Sequence, residues 1–178
     1  MKQAFVAIGS NLENPVSQVN SAYVALNNIP NTRVIKTSSL YQTAPIDCIN
    51  HPQNPVPDFI NAVAELETEL SPLELLEALF AIENQAGRER PYQNAPRVLD
   101  CDLLLYENTC MNTARLTLPH PRMHTRGFVL LPLFEIAPTL SIPNHGKIAE
   151  LIRDNHFIGV NRLSASAKQS ETTGKSVA

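Results

Sequence analysis

Cysteine is scarce and oddly counted. The 178 residues hold three, Cys48, Cys101 and Cys110, with no Cys-x-x-Cys spacing. A disulfide framework and a cysteine zinc site are therefore not expected. Long apolar runs are missing as well. Phe128 to Phe134, the longest toward the C-terminal third, is interrupted by Pro132, and roughly 18 apolar residues are needed to span a bilayer. The first residues carry one lysine and a brief apolar run, Ala4 to Ile8, that ends in Gly9-Ser10-Asn11. That is no secretory pattern. An excess of positive charge is lacking too, since 14 Lys and Arg stand against 17 Asp and Glu. General affinity for nucleic-acid backbones is not expected. These absences leave a cytoplasmic protein without membrane or nucleic-acid partners as the expectation.

What is present suits a packed domain. Hydrophobic residues make up 43% and charged residues 17%, which excludes wholesale disorder. One domain over 1–163 is expected, followed by a loosely tied polar tail over 164–178 that is rich in Ser, Thr, Lys and Ala.

Local patterns place the elements. Ala4 to Ile8 reads as a buried strand. Asn14-Pro15 is a helix start, and Val16, Val19, Ala22, Tyr23, Leu26 and Ile29 follow at helical spacing. Val34 to Tyr41 is β-branched and reads as one strand. Pro45, Pro52, Pro55 and Pro57 make the next segment a long surface loop. Phe59 to Leu70 alternates as a half-buried strand. Ser71-Pro72-Leu73-Glu74 is a capping box that opens a helix ending at Gly87. Val98 to Tyr106 reads as a strand, Leu116 to Leu118 as a short extended piece, and Arg126 to Ile136 and Lys147 to Asp154 as helices. This order predicts an α+β fold, a ferredoxin-like antiparallel sheet with helices on one face.

The chemistry concentrates in Pro96-Arg97-Val98-Leu99-Asp100-Cys101-Asp102-Leu103. Strand alternation puts Leu99, Cys101, Leu103 and Leu105 on a dry face and both aspartates on the other. Adjacent carboxylates repel unless cations neutralise them, and Mg²⁺ takes one or two carboxylates together with substrate phosphates. That is a phosphoryl-transfer design. A bare Asp-x-Asp more often marks a solvated strand face with two incidental aspartates. The basic residues shift the balance. Arg88, Arg90, Arg97, Arg115, Arg122 and Arg126 are six of the 14 basic residues, gathered around one acidic pair. Arginine forks hold phosphate oxygens bidentately. His120, set between Pro119 and Pro121, is stiffly placed to donate to a phosphate.

An ordered series of segments resembles the 6-hydroxymethyl-7,8-dihydropterin pyrophosphokinase family of folate biosynthesis. It runs through Ala7-Ile8-Gly9-Ser10-Asn11-Leu12, Ser38-Ser39-Leu40-Tyr41-Gln42-Thr43 and Phe59-Ile60-Asn61-Ala62. Ile82-Glu83 with Gly87-Arg88, the Arg97 to Asp102 segment, and Leu118-Pro119-His120-Pro121-Arg122 with Arg126-Gly127-Phe128 continue it, and Phe134-Glu135-Ile136-Ala137-Pro138 completes it. The resemblance spans roughly residues 3 to 160. It implies a ferredoxin-like fold and transfer of pyrophosphate from ATP to the pterin hydroxymethyl group, with AMP as the other product. It implies two Mg²⁺ ions on Asp100 and Asp102, with Arg88 and Arg97 acting in catalysis. Glu83, Leu103, Arg115, Thr117, His120 and Arg126 would serve ATP. Thr43, Ala44, Ile46, Phe59, Asn61 and Phe128 would hold the pterin, with Phe59 and Phe128 stacking on it and Asn61 reading its amide edge. The partners implied are ATP and the pterin, acting on a monomer. Phe80 stands where members often carry Gln, and Asn94-Ala95-Pro96-Arg97 stands in place of Trp-Gly-Pro-Arg. These departures keep a second possibility open, a catalytically weak paralogue that binds pterin or nucleotide. A nucleotidyltransferase would use the same Asp-x-Asp logic but leaves Phe59, Asn61 and Phe128 without a task.

Overall fold

The structure, a computed structural model, describes residues 1–12, 14–45, 57–87 and 98–164. The chain opens with β1 (Lys2–Ser10), α1 (Pro15–Asn27), β2 (Thr32–Thr37) and β3 (Tyr41–Thr43). It continues with β4 (Phe59–Thr68), α2 (Pro72–Ala86) and β5 (Asp100–Tyr106). The hairpin β6 (Met111–Asn112) and β7 (Thr117–Leu118) precedes a short 3-10 turn at Met123–Thr125 and α3 (Gly127–Ile136). A second hairpin, β8 (Ser141–Ile142) and β9 (Gly146–Lys147), leads into α4 (Ile148–Arg153) and a last strand, β10 (Val160–Arg162).

The helix starts follow the sequence signals. Asn14 caps α1 with its side chain, accepting from the Ser17 N–H, and sits in the left-handed region at φ 63°. Asparagine tolerates that conformation better than most residues. The capping box at Ser71 is complete. The Ser71 hydroxyl accepts from the Glu74 N–H at 3.3 Å, and the Glu74 carboxylate accepts from the Ser71 N–H at 2.7 Å.

One six-stranded antiparallel sheet, in the order β10-β3-β4-β1-β5 with β2 also on β4, organises the molecule. The α+β ferredoxin-like expectation holds, with one correction: helices cover both faces. Ala4, Val6 and Ile8 of β1 pack with Val19, Leu26, Leu75 and Leu79 beneath α1 and α2. Phe5 points the other way and packs with Val63, Leu130 and Leu133 beneath α3. β4 is accordingly buried on both faces along much of its length rather than half-buried. Its glutamates, Glu65 and Glu67, masked a fully buried Val63 on the same parity.

Two further expectations change in detail. The single strand expected over Val34 to Tyr41 is two. Between them the Ser38 hydroxyl, not a strand carbonyl, accepts the Val63 N–H at 2.9 Å, while the Ser38 N–H donates to the Val63 carbonyl. Leu105 does not share the dry face of Leu99, Cys101 and Leu103. Phe5 pairs with Leu105 and Val6 with Leu103, so Leu104 is an extra residue in a bulge. Beyond a bulge the alternation reverses, and Leu104 and Leu105 both lie beneath α3. β10 was not expected at all. The part of the proline-rich loop over 46–56 and the tail over 165–178 lie outside the described residues.

Candidate active site

The pleat brings three strands to one point. Gly9 of β1 pairs with Asn61 of β4 on one side and with Asp100 of β5 on the other. Neighbouring strands lie about 4.8 Å apart, so Asn61 and Asp100 stand on the order of 10 Å from each other across the glycine. Ala7 pairs with Asp102 and continues this low floor. A Cβ on Gly9 would come within 3.2 Å of Asn61 Oδ1. The missing side chain thus leaves the amide room, and the floor flat.

Over this floor opens a cleft of about 830 Å³. Thr43, Ala44, Phe59, Asn61, Asp100, Asp102, Arg126 and Phe128 are among the residues that line it. Eight of the expected site residues therefore meet in one cavity. Asp100 is half-buried and Asp102 exposed, both on the sheet face that carries α3. Asn61 is buried and its Nδ2 donates to Thr43 Oγ1 at 2.9 Å. That bond fixes the amide's orientation toward the cleft. The Arg126 guanidinium lies 5.4 Å from the Phe128 ring centre, so the ring that faces the cleft also steadies a cation beside it.

The other expected residues sit elsewhere. His120 does not line the cleft. Its Nδ1 accepts from the Arg122 N–H at 3.1 Å, which leaves Nε2 to carry the proton of the neutral ring. Burial holds its pKa below the usual value, Asp102 pulls it up, and Arg126 and Arg122 push it down again. Glu83 is 5% exposed, and its carboxylate accepts from the Cys101 N–H at 2.7 Å. The Leu103 side chain belongs to the core under α1 and α2. Arg115 is exposed and ion-paired with Glu77 of α2. The Thr117 hydroxyl donates to Asn112 Oδ1 at 3.1 Å. Ile46, Arg88 and Arg97 lie outside the described residues.

Sequence reasoning missed several cleft residues. Ala7, Ile8, Gly9, Thr125 and His156 to Val160 line the cleft as well, and so does Arg122, which the arginine cluster named without giving it a task. Gly9 was visible as a strand breaker and as part of the resembling Ala7 to Leu12 segment, with no site role attached, and nothing periodic marks residues 156–160.

The histidines bear on acid stability. His145 and His124 stack with ring centres 3.8 Å apart. Burial and the neighbouring His124 hold the His145 pKa below the usual 6.5. A histidine so depressed stays neutral in the folded chain while the unfolded chain already takes up protons. Stability from His120 and His145 is thus complete above the usual imidazole value and drains away as pH falls through the folded values. The melting temperature should be flat near pH 7 to 8 and fall from about pH 6.5 downward. His145→Gln should shallow that slope in a thermal-denaturation series. An unaltered slope would remove His145 from the account.

Comparison with known proteins agrees with the geometry. Residues 5–138 match the model of the 7,8-dihydro-6-hydroxymethylpterin-pyrophosphokinase (HPPK) family. The chain belongs to that family. Two curated relatives are named 2-amino-4-hydroxy-6-hydroxymethyldihydropteridine pyrophosphokinase. The one from Haemophilus influenzae is 46% identical over 90% of this chain and 99% of its own length, and the one from Pseudomonas aeruginosa 40% identical over 92% and 98%. Among solved structures, an HPPK-DHPS in complex with substrates superposes at a TM-score of 0.65 with 14% identity, and a Plasmodium falciparum HPPK-DHPS at 0.65 with 15%. This HPPK chain covers 43% and 45% of those two chains, and they cover 86% of it. At that identity they establish the ferredoxin-like fold of an HPPK domain and nothing further.

Proposed function

We infer that this HPPK transfers pyrophosphate from ATP to 6-hydroxymethyl-7,8-dihydropterin in folate biosynthesis, giving AMP and the pterin diphosphate. One observation carries the reading in this chain: the Asn61–Gly9–Asp100 row sets an amide that can read a heterocycle edge beside a carboxylate pair, with glycine between them.

Each end of the row has its task. Phe59 and Phe128 offer ring faces to a flat bicycle, while Asn61, Thr43 and the backbone at Ala44 and Ile46 meet its polar edge. Arg126 and His120 Nε2–H donate to the triphosphate, joined by Arg88 and Arg97. The Leu103 backbone on the edge strand, with Arg115 and Thr117, serves the adenosine, Arg115 exchanging Glu77 for nucleotide. Glu83 acts from behind, by holding Cys101.

Asp100 and Asp102 fit Mg²⁺. Among the described residues no group of three or more His, Cys, Asp or Glu could hold a metal by itself. Two carboxylates completed by phosphate oxygens and water make a magnesium site rather than an all-protein cage. Two bound Mg²⁺ ions would offset charge on the phosphate oxygens and align them. The chain itself orients the hydroxymethyl oxygen for in-line attack on the β-phosphorus while AMP leaves, and positioning supplies much of the acceleration.

No helix of the described residues is long and apolar enough to cross a membrane. The reading places the enzyme in the cytoplasm as a monomer acting on two small molecules. A mixture of protein, Mg²⁺, ATP and hydroxymethyl-dihydropterin should form AMP without releasing free pyrophosphate. Free pyrophosphate would mean nucleotidyl transfer. A pterin fluorescence change without AMP would mean binding alone.

A further inference from the structure

The stretch between α4 and β10 lines the cleft and is fixed at both ends. At one end Phe157 packs on Gly127, the residue before Phe128. A Cβ on Gly127 would lie 2.5 Å from the Phe157 ring, so the pair is in direct contact. At the other end Val160 pairs with Thr43. Behind it the Leu163 N–H donates to the Leu40 carbonyl at 2.8 Å, and Arg162 lies 3.6 Å from the Glu135 carboxylate. The two residues between the anchors, Ile158 and Gly159, bridge from the Phe128 side of the slot to the Thr43 side. Gly159 turns there at φ 80°.

Ile158 is 95% exposed and lines the cleft. It is the most exposed large hydrophobic residue among those described. A large aliphatic side chain held in water by a fixed backbone, lining the same cleft as two aromatic rings, is a surface that a ligand can cover. We propose that Ile158 is a pterin-contact residue, closing the slot over the heterocycle between Phe128 and Thr43. The proposal rests on the pterin reading of the cleft. It makes the β10 segment part of the substrate site rather than a terminal strap. Its contribution falls on the pterin, because the segment is anchored beside Phe128 and Thr43, while the carboxylates sit beyond Gly9 on β5.

The test is steady-state kinetics of Ile158→Ala, with Ile158→Val beside it. Removing apolar carbon that the ligand covers on one side should raise KM for the pterin about three- to tenfold. KM for ATP and kcat should hold, and the melting temperature should match wild type, since the side chain touches so little of the free protein. Ile158→Val should restore most of the pterin KM. Pterin titration by fluorescence without ATP should show the same loss in Kd. A pterin KM and Kd within twofold of wild type for Ile158→Ala would overturn the proposal. So would equal rises in both KM values. A wild-type enzyme that forms no pterin-dependent AMP would instead sink the functional reading, so the two failures are distinct.

Discussion

Asp102→Ala should lower kcat by about a thousandfold or more and leave the fold intact. The side chain is exposed on β5 and supports no packing, so the melting temperature should stay close to wild type. Activity is another matter. A metal that offsets charge on a transferring phosphoryl group provides several kcal/mol, and about 1.4 kcal/mol is a factor of ten in rate. On the proposed function, loss of one carboxylate from a pair that would rely on substrate oxygens would leave too few ligands to hold the ion in place. Asp100→Ala should behave alike in turnover, with a small stability cost because Asp100 is half-buried. The measurement is a rate assay at saturating Mg²⁺ and ATP beside a thermal melt. A variant with normal turnover would remove the aspartates from the chemistry. A variant that fails to fold would make them structural.

Much of this site was legible because its parts are local. Asp100 and Asp102 are two residues apart on one strand, and alternation alone puts them on a shared face. Phe59 and Asn61 follow the same rule. The capping box at Ser71 and the Asn14-Pro15 start needed only nearest-neighbour chemistry. What escaped was long-range. Val63 stands among glutamates, and only the arrival of α3 makes its face a core. The Leu104 bulge is a property of the β1–β5 pairing, invisible in either strand alone. β10 has three residues, Val160 to Arg162, too few to show a period of two, and its partner lies far back in the chain at Thr43. Gly9 read as punctuation because its value lies in the two strands beside it.

Glu83 separates two ways of serving a nucleotide. Family resemblance implies a place at ATP, yet in the fold the carboxylate is buried and accepts the Cys101 N–H. β5 is the edge of the sheet, so that N–H, between the two aspartates, has α2 rather than another strand to satisfy it. On the proposed function, Glu83 would be a positioning residue, bracing the backbone from which Asp100 and Asp102 project. Glu83→Ala removes buried side-chain volume and leaves that N–H without its partner, at a cost of about 2–4 kcal/mol. Turnover should fall about ten- to hundredfold, because small displacements of the reacting groups carry penalties of that size. Glu83→Gln keeps an acceptor oxygen of the same reach and should recover most of both losses. Thermal melts and kcat for the two variants decide the matter. If Gln abolishes turnover as fully as Ala while both variants melt with wild type, the negative charge itself acts on the reacting groups and the bracing account is wrong.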